Sequence, residues 1–206
     1  MKKYIPALLV VILLAGFHNA ALADDDVHEK SSWYIGFGIG SGNGAWNINN
    51  TEVTFDDYFE GADSTTPRVT INFGVGAILG QKFHLGFDGS AIREQGSLEV
   101  LGETLDVAVQ INNYLGAVSY FPFTTGFFIK GGAGFSVMMI QAVYGSDTET
   151  ESYSGTSVLA GAGYAIWIGK TFNLCLNAEY SYQSYSGDEA PDNSHFWNVY
   201  ISFYWF

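Results

Sequence analysis

Trp33-Tyr34-Ile35-Gly36-Phe37-Gly38-Ile39-Gly40 sorts its side chains into two unlike sets. Trp33, Ile35, Phe37 and Ile39 fall on one side of an extended backbone, and Tyr34, Gly36, Gly38 and Gly40 on the other. A period of two is that of a β-strand. One face is bulky and apolar; the other is mostly glycine. The pattern recurs down the chain. Val69, Ile71, Phe73 and Val75 alternate with Arg68, Thr70, Asn72, Gly74 and Gly76. Phe83, Leu85 and Phe87 alternate with His84, Gly86 and Asp88. Leu105, Val107, Val109 and Ile111 alternate with Asp106, Ala108, Gln110 and Asn112. Phe172, Leu174, Leu176, Ala178 and Tyr180 alternate with Asn173, Cys175, Asn177, Glu179 and Ser181.

Eight strands are predicted, over about 32–41, 66–79, 82–94, 104–121, 126–143, 155–169, 171–184 and 195–206. The last is apolar on both faces, so its register stays open. The connections at Leu79-Gly80-Gln81-Lys82, Phe121-Pro122-Phe123-Thr124-Thr125-Gly126 and Gly169-Lys170-Thr171 are short. Those at 42–65, 95–103, 144–154 and 185–194 are longer. Short turns at one end and long loops at the other are the plan of an outer-membrane barrel, whose long loops face outside the cell. No segment after the N-terminal leader is long and apolar enough for a spanning helix, and only a helix or a closed sheet satisfies its own backbone in hydrocarbon.

Which face meets lipid follows from composition. The non-apolar face is Gly, Ala, Ser and Asn, where a wetted exterior would be rich in Lys and Glu. The acids gather in the long connections instead: Glu52, Asp56, Asp57, Glu60 and Asp63; Glu99 and Glu103; Asp147, Glu149 and Glu151; Asp188, Glu189 and Asp192. Trp33, Phe83, Phe121, Phe123, Phe127, Phe172, Trp205 and Phe206 cluster near the short turns, as an interfacial aromatic belt would. The expected fold is an all-β, eight-stranded antiparallel up-and-down transmembrane barrel with its apolar face outward.

The chain opens like an export signal: Lys2 and Lys3, an apolar run from Ile5 to Phe17, then Ala21-Leu22-Ala23 before Asp24. Residues 1–23 are expected to be a cleaved signal peptide and 24–206 a single barrel domain. The 206-residue chain has eight Lys+Arg against 21 Asp+Glu, a formal charge of −13, and loses Lys2 and Lys3 on cleavage. Such acidity excludes nucleic acid as a partner, because phosphate binding needs a basic patch. Cys175 is the only cysteine, so no internal disulfide forms, and a buried inert thiol is expected.

Tyr114-Leu115-Gly116-Ala117-Val118-Ser119-Tyr120-Phe121-Pro122, Phe128-Ile129-Lys130-Gly131-Gly132-Ala133-Gly134-Phe135-Ser136, Leu159-Ala160-Gly161-Ala162-Gly163-Tyr164 and a terminal Phe206 resemble the outer membrane protein A/X type barrels of Gram-negative bacteria. The resemblance spans the chain after the leader. It implies insertion by the outer-membrane assembly machinery, which reads a last strand ending in an aromatic residue. Phe206 and Tyr204 fit; Ser202 is a poor match. It also implies ion pairs inside the barrel.

Eight strands enclose just enough room for side chains. Inward glycines such as Gly36, Gly38, Gly74, Gly76, Gly86, Gly132, Gly134, Gly161 and Gly163 leave space for Tyr34, Tyr114, Tyr120 and Trp167. Lys130 and Arg68 are expected to pair with Asp88, Glu179 or Glu94, because isolated buried charges are prohibitively costly. Such a lumen is plugged.

No catalytic, cofactor-binding or metal-binding residues are assigned. Gly36-Phe37-Gly38-Ile39-Gly40 lies within a strand, not at the strand-to-helix turn of a dinucleotide site. A lipid A deacylase needs a His-x-Ser pair; Lys30, Gly86 and Trp197 follow His28, His84 and His195. Asp192-Asn193-Ser194-His195 supplies the residue types of a palmitoyltransferase, but a polar loop end explains it as well. The acids of 52–63 and Asp24-Asp25-Asp26 lack the ordered spacing of a calcium loop. Asn49-Asn50-Thr51 matches a glycosylation sequon, which means little in a bacterium. The expected protein is non-enzymatic and monomeric, in contact with outer-membrane lipid and lipopolysaccharide. Its role is structural or one of surface interaction through acidic loops, with Trp46, Phe55, Tyr58 and Phe59 as contact area. A narrow pore is the alternative, and a lipid A-modifying enzyme the more distant one.

Overall fold

The computed structural model describes residues 32–62, 64–100, 103–123, 126–169, 171–187 and 190–206; the leader expected over 1–23 lies outside them. Eight long strands form one ring: β1 (Trp33–Ile48), β4 (Val69–Leu79), β5 (Phe83–Val100), β6 (Glu103–Tyr120), β7 (Gly126–Tyr144), β8 (Asp147–Gly169), β9 (Phe172–Tyr185) and β10 (Asn193–Trp205). Each pairs antiparallel with its neighbour, and β10 closes on β1 from Ile35↔Trp205 to Asn47↔Asn193. Closure leaves no sheet edge in the spanning part, which hydrocarbon demands. Between β1 and β4 lie β2 (Thr51–Thr54), a one-turn helix α1 (Phe55–Tyr58) and β3 (Ser64–Thr65).

All eight predicted strands exist, but several run further. The loops expected over 95–103 and 144–154 are mostly strand, since β5, β6, β7 and β8 continue as tall hairpins. Tyr144 pairs with Asp147 across a two-residue turn at Gly145, whose φ is +59°. β1 likewise ends in a two-residue hairpin, with Asn49 and Asn50 at φ 52° and 64°. Two successive positive φ values define the turn that matches strand twist, and Asn tolerates them. Asn49-Asn50 is thus a turn signal.

The outward faces carry an apolar band. On β9 it is Phe172, Leu174, Leu176, Ala178, Tyr180 and Tyr182. Ten steps of about 3.3 Å, tilted by about 40°, rise about 25 Å, the height of such bands in outer-membrane barrels. Above it seven of the eight strands turn polar outside: Ser41 after Ile39, Arg93 after Ala91, Asn112 after Tyr114, Gln141 after Met139, Thr156 after Val158, Ser184 after Tyr182 and His195 after Trp197. Trp33, Phe83, Phe123 and Trp205 are exposed at the short-turn end, as the belt requires. Phe121 and Phe206, expected among them, point inward and are buried.

One strand corrects the face assignment. On β6, Val107, Val109 and Ile111 are buried inside the barrel, while Gln110 and Asn112 are outside. Tyr114 and Tyr120, expected inside, also lie outside, stacked on Phe135 and Phe83. Pairing on both sides of β6 runs without a bulge, so its faces never exchange. Most of the bulky apolar residues do: Leu105, Val107, Val109 and Ile111 are inward, whereas Tyr114, Val118 and Tyr120 are outward and Leu115 alone stays inward. Val109 is therefore a core residue, not a lipid-facing one.

Candidate functional site

The lumen is filled in three layers. At the short-turn end, Tyr34 packs with Ile78 and Phe206, and Phe121 with Phe128, Ala165 and Cys175. His84 stacks at 5.0 Å on Tyr34 and packs, tilted, at 4.5 Å against Phe121. Cys175 is buried and reduced, as expected. Between these side chains is a narrow pocket that Asp88 and Lys130 also line.

The middle layer is ionic. Lys130 Nζ donates to Asp88 Oδ2 and, at 2.7 Å, to Glu179 Oε1. Tyr200 OH donates to the same Glu179 oxygen at 2.5 Å, and Asn72 Nδ2 to Asp88 Oδ1 at 3.2 Å. This is the set expected from sequence, with Tyr200 added. Tyr200 was not predictable while the register of β10 was open; its inward position follows from Tyr200↔Asn177. Glycine makes room for it: a Cβ on Gly38 would lie 2.7 Å from the Tyr200 ring, and one on Gly36 2.6 Å from that of Tyr204. Ser202, a poor match to an assembly signal, points inward and accepts from Asn177 Nδ2 at 2.8 Å. The upper part of this middle layer is neutral: Gln183 Nε2 donates to Asn113 Oδ1 and Ser194 Oγ to Gln183 Oε1.

The top layer is apolar. Trp46, Phe55, Phe59, Ile92, Val109, Ile111, Met138 and Phe196 form one buried cluster. Trp46, Phe55 and Phe59 were expected as exposed contact area; they are the cork of the barrel instead, and only Tyr58 remains partly exposed. Burying a side chain such as Phe55 contributes about 1.5–3 kcal/mol. A capping box starts α1: Asp57 N donates to Thr54 Oγ1, and Thr54 N to Asp57 Oδ2. Arg68 clips the helix down. Its Nη2 donates to Asp56 Oδ1 at 2.7 Å, its Nε to Glu94 Oε2 at 2.5 Å and its Nη1 to Asn43 Oδ1 at 2.5 Å; the guanidinium lies 5.0 Å from the Phe55 ring centre. Asp56 and Asp57 thus serve structure, and among the described residues no three His, Cys, Asp or Glu are placed to hold a metal. Asp63, Asp188, Glu189 and Asp24-Asp25-Asp26 lie outside the described residues.

The rim above is acidic and exposed: Glu52, Asp57 and Glu60, Glu99 and Glu103, Asp147, Glu149 and Glu151, and Asp192. Burial and the nearby Glu151 raise the Tyr58 hydroxyl above its usual range, so it stays a neutral donor in this field. The triad types of the last strand are not brought together. Ser194 is fully buried and bonded to Gln183, whereas His195 is on the outer wall, 5.9 Å from the Tyr180 ring. Successive strand residues face opposite ways, so sequence adjacency here means separation.

No curated protein matches the sequence. Among solved structures, the fold is similar to that of Ail, the attachment invasion locus protein of Yersinia pestis, solved with the heparin analogue sucrose octasulfate. Identity is 11% over 85% of this chain and 100% of that one, with a TM-score of 0.57. Neisserial surface protein A covers 85% of this chain and 97% of its own at 12% identity and a TM-score of 0.49. The profile of the outer membrane protein beta-barrel domain matches residues 8–204. With a closed eight-stranded ring, an apolar band of bilayer height and that match over nearly its whole length, the chain belongs to the outer membrane protein beta-barrel domain family.

Proposed function

We propose that the protein is a non-enzymatic, monomeric scaffold, exported by cleavage after Ala23, that presents an acidic rim for interaction at the cell surface. The three packed layers of the lumen carry this reading: Lys130 with its two carboxylates blocks the middle, and Trp46 and Phe55 cork the outer mouth. A rigid barrel with a filled interior does its work at its outer end. The exposed carboxylates there favour cationic partners and repel anionic surfaces. The sulfated sugar held by Ail belongs to the class this rim would reject.

Planar bilayers test the plug: the protein should give no steady openings between pH 6 and 8, and sustained conductance would replace the scaffold with the narrow pore. A binding assay against immobilised basic and acidic polypeptides tests the rim, with salt-sensitive retention expected only on the basic one. Unchanged lipid A acylation after His195→Ala is the expected result against the enzyme reading.

A further inference from the structure

The two ion clusters of the barrel have the same composition and different surroundings. Each has one base and two acids. In the upper one, Arg68 meets buried Glu94 and Asp56, whose side chain is 67% exposed, so water carries the surplus negative charge. In the lower one Lys130, Asp88 and Glu179 are all buried, at 4%, 4% and 1% side-chain exposure. One base against two acids leaves a net charge of −1 with no outlet to solvent. The inward neighbours Asn72, Asn177, Asn198, Ser181 and Tyr200 are neutral, and His84, four residues along the inward face of β5 from Asp88, is the other base lining the pocket beside Asp88 and Lys130. A buried surplus charge demands a counter-charge.

The same place has oxygens to spare. Lys130 and Tyr200 both use Glu179 Oε1. Glu179 Oε2 is buried without a hydrogen-bond partner, and so are Asn198 Oδ1 and Ser181 Oγ. Asn198 lies directly opposite Glu179 across the β9–β10 ladder, and Ser181 two residues along the same inward face of β9. Three buried oxygens on adjacent inward positions, one of them a carboxylate's, form a hard donor set.

We propose that Glu179 Oε2, Asn198 Oδ1 and Ser181 Oγ hold one monovalent alkali cation, which brings the central cluster to neutrality. A divalent ion would overshoot by one charge. This site is independent of any partner at the rim, so either reading can fail without the other.

The test is thermal unfolding of the folded barrel in neutral detergent, with NaCl exchanged for choline chloride at constant ionic strength. The midpoint should climb with the logarithm of the sodium concentration, as for a ligand bound only by the folded state. Glu179→Gln removes the surplus charge and should abolish the dependence; Asn198→Ala keeps the charge and should weaken it. If Glu179→Gln fails to fold, crystals of the unaltered protein soaked in RbCl decide: an anomalous peak beside Glu179 Oε2 is expected. The proposal is overturned by a midpoint indifferent to sodium, or by crystals showing water alone at that position. It is overturned equally by a midpoint that rises only with acidification, meaning that a proton on Glu179 or His84 supplies the charge. His84→Gln separates those two sources.

Discussion

Two stretches of β6, a few residues apart, obey opposite rules. From Tyr114 to Tyr120 the bulky Tyr114, Val118 and Tyr120 face out, and Asn113, Leu115 and Ala117 face in. From Leu105 to Ile111 the apolar side chains face in, and Asp106, Gln110 and Asn112 face out. The ladder between them is unbroken; what changes is the medium outside. Where hydrocarbon surrounds the wall, apolar groups belong outside and the interior can be polar if it is satisfied. Where water surrounds it, the same wall follows the rule of a soluble barrel. The molecule is a membrane barrel that continues upward as a small water-soluble one.

Charge placed on the two parts separates the rules most sharply. Val109→Arg puts an unpaired cation in the upper core and should cost more than about 4 kcal/mol, abolishing folding into lipid vesicles. Lys130→Met leaves two buried carboxylates unpaired in the spanning part; a loss of about 3–5 kcal/mol in urea titrations in lipid is expected. Phe73→Arg, on the outer wall between Phe37 and Phe87, should cost about 2–4 kcal/mol by the same titration, since the charge meets the bilayer interior. Arg68→Ala releases the cork rather than the barrel. A loss of about 1–3 kcal/mol should show as faster protease cleavage near 51–62 with the spanning strands intact. Gln110→Lys, on the outer wall above the apolar band, should stay within about 0.5 kcal/mol. If it cost as much as Phe73→Arg, the boundary drawn between the two parts would be misplaced.

Much of this was legible beforehand. Alternation located most of the long strands, the last being apolar on both faces, and glycine punctuation located the short turns. Lys130, Arg68, Asp88, Glu179 and Glu94 were recognisable as interior partners because each sits on the glycine side of its strand. The strand ends were less legible, because the tall hairpins carry water on their outer faces and their acidic, Thr-rich sequence reads as loop. The inversion on β6 did leave a trace: its apolar residues change from odd to even positions at Asn112-Asn113. That slip of one residue inside a continuous strand is the signal that the medium changes there. Trp46, Phe55 and Phe59 gave no such trace, since a connection's aromatics look alike whether they face a partner or fold back into the barrel.

Residue order alone carried the two-faced alternation, because strand geometry imposes a period of two whatever lies around it. Composition pointed the glycine side inward, but only closure between β1 and β10, whose residues are some 160 positions apart at Ile39↔Ile201, makes that side an interior. Residue order could not choose Lys130's partners, 42 and 49 residues away. Only the closed ring brings those charges within bonding distance, and their burial then makes the pairing obligatory.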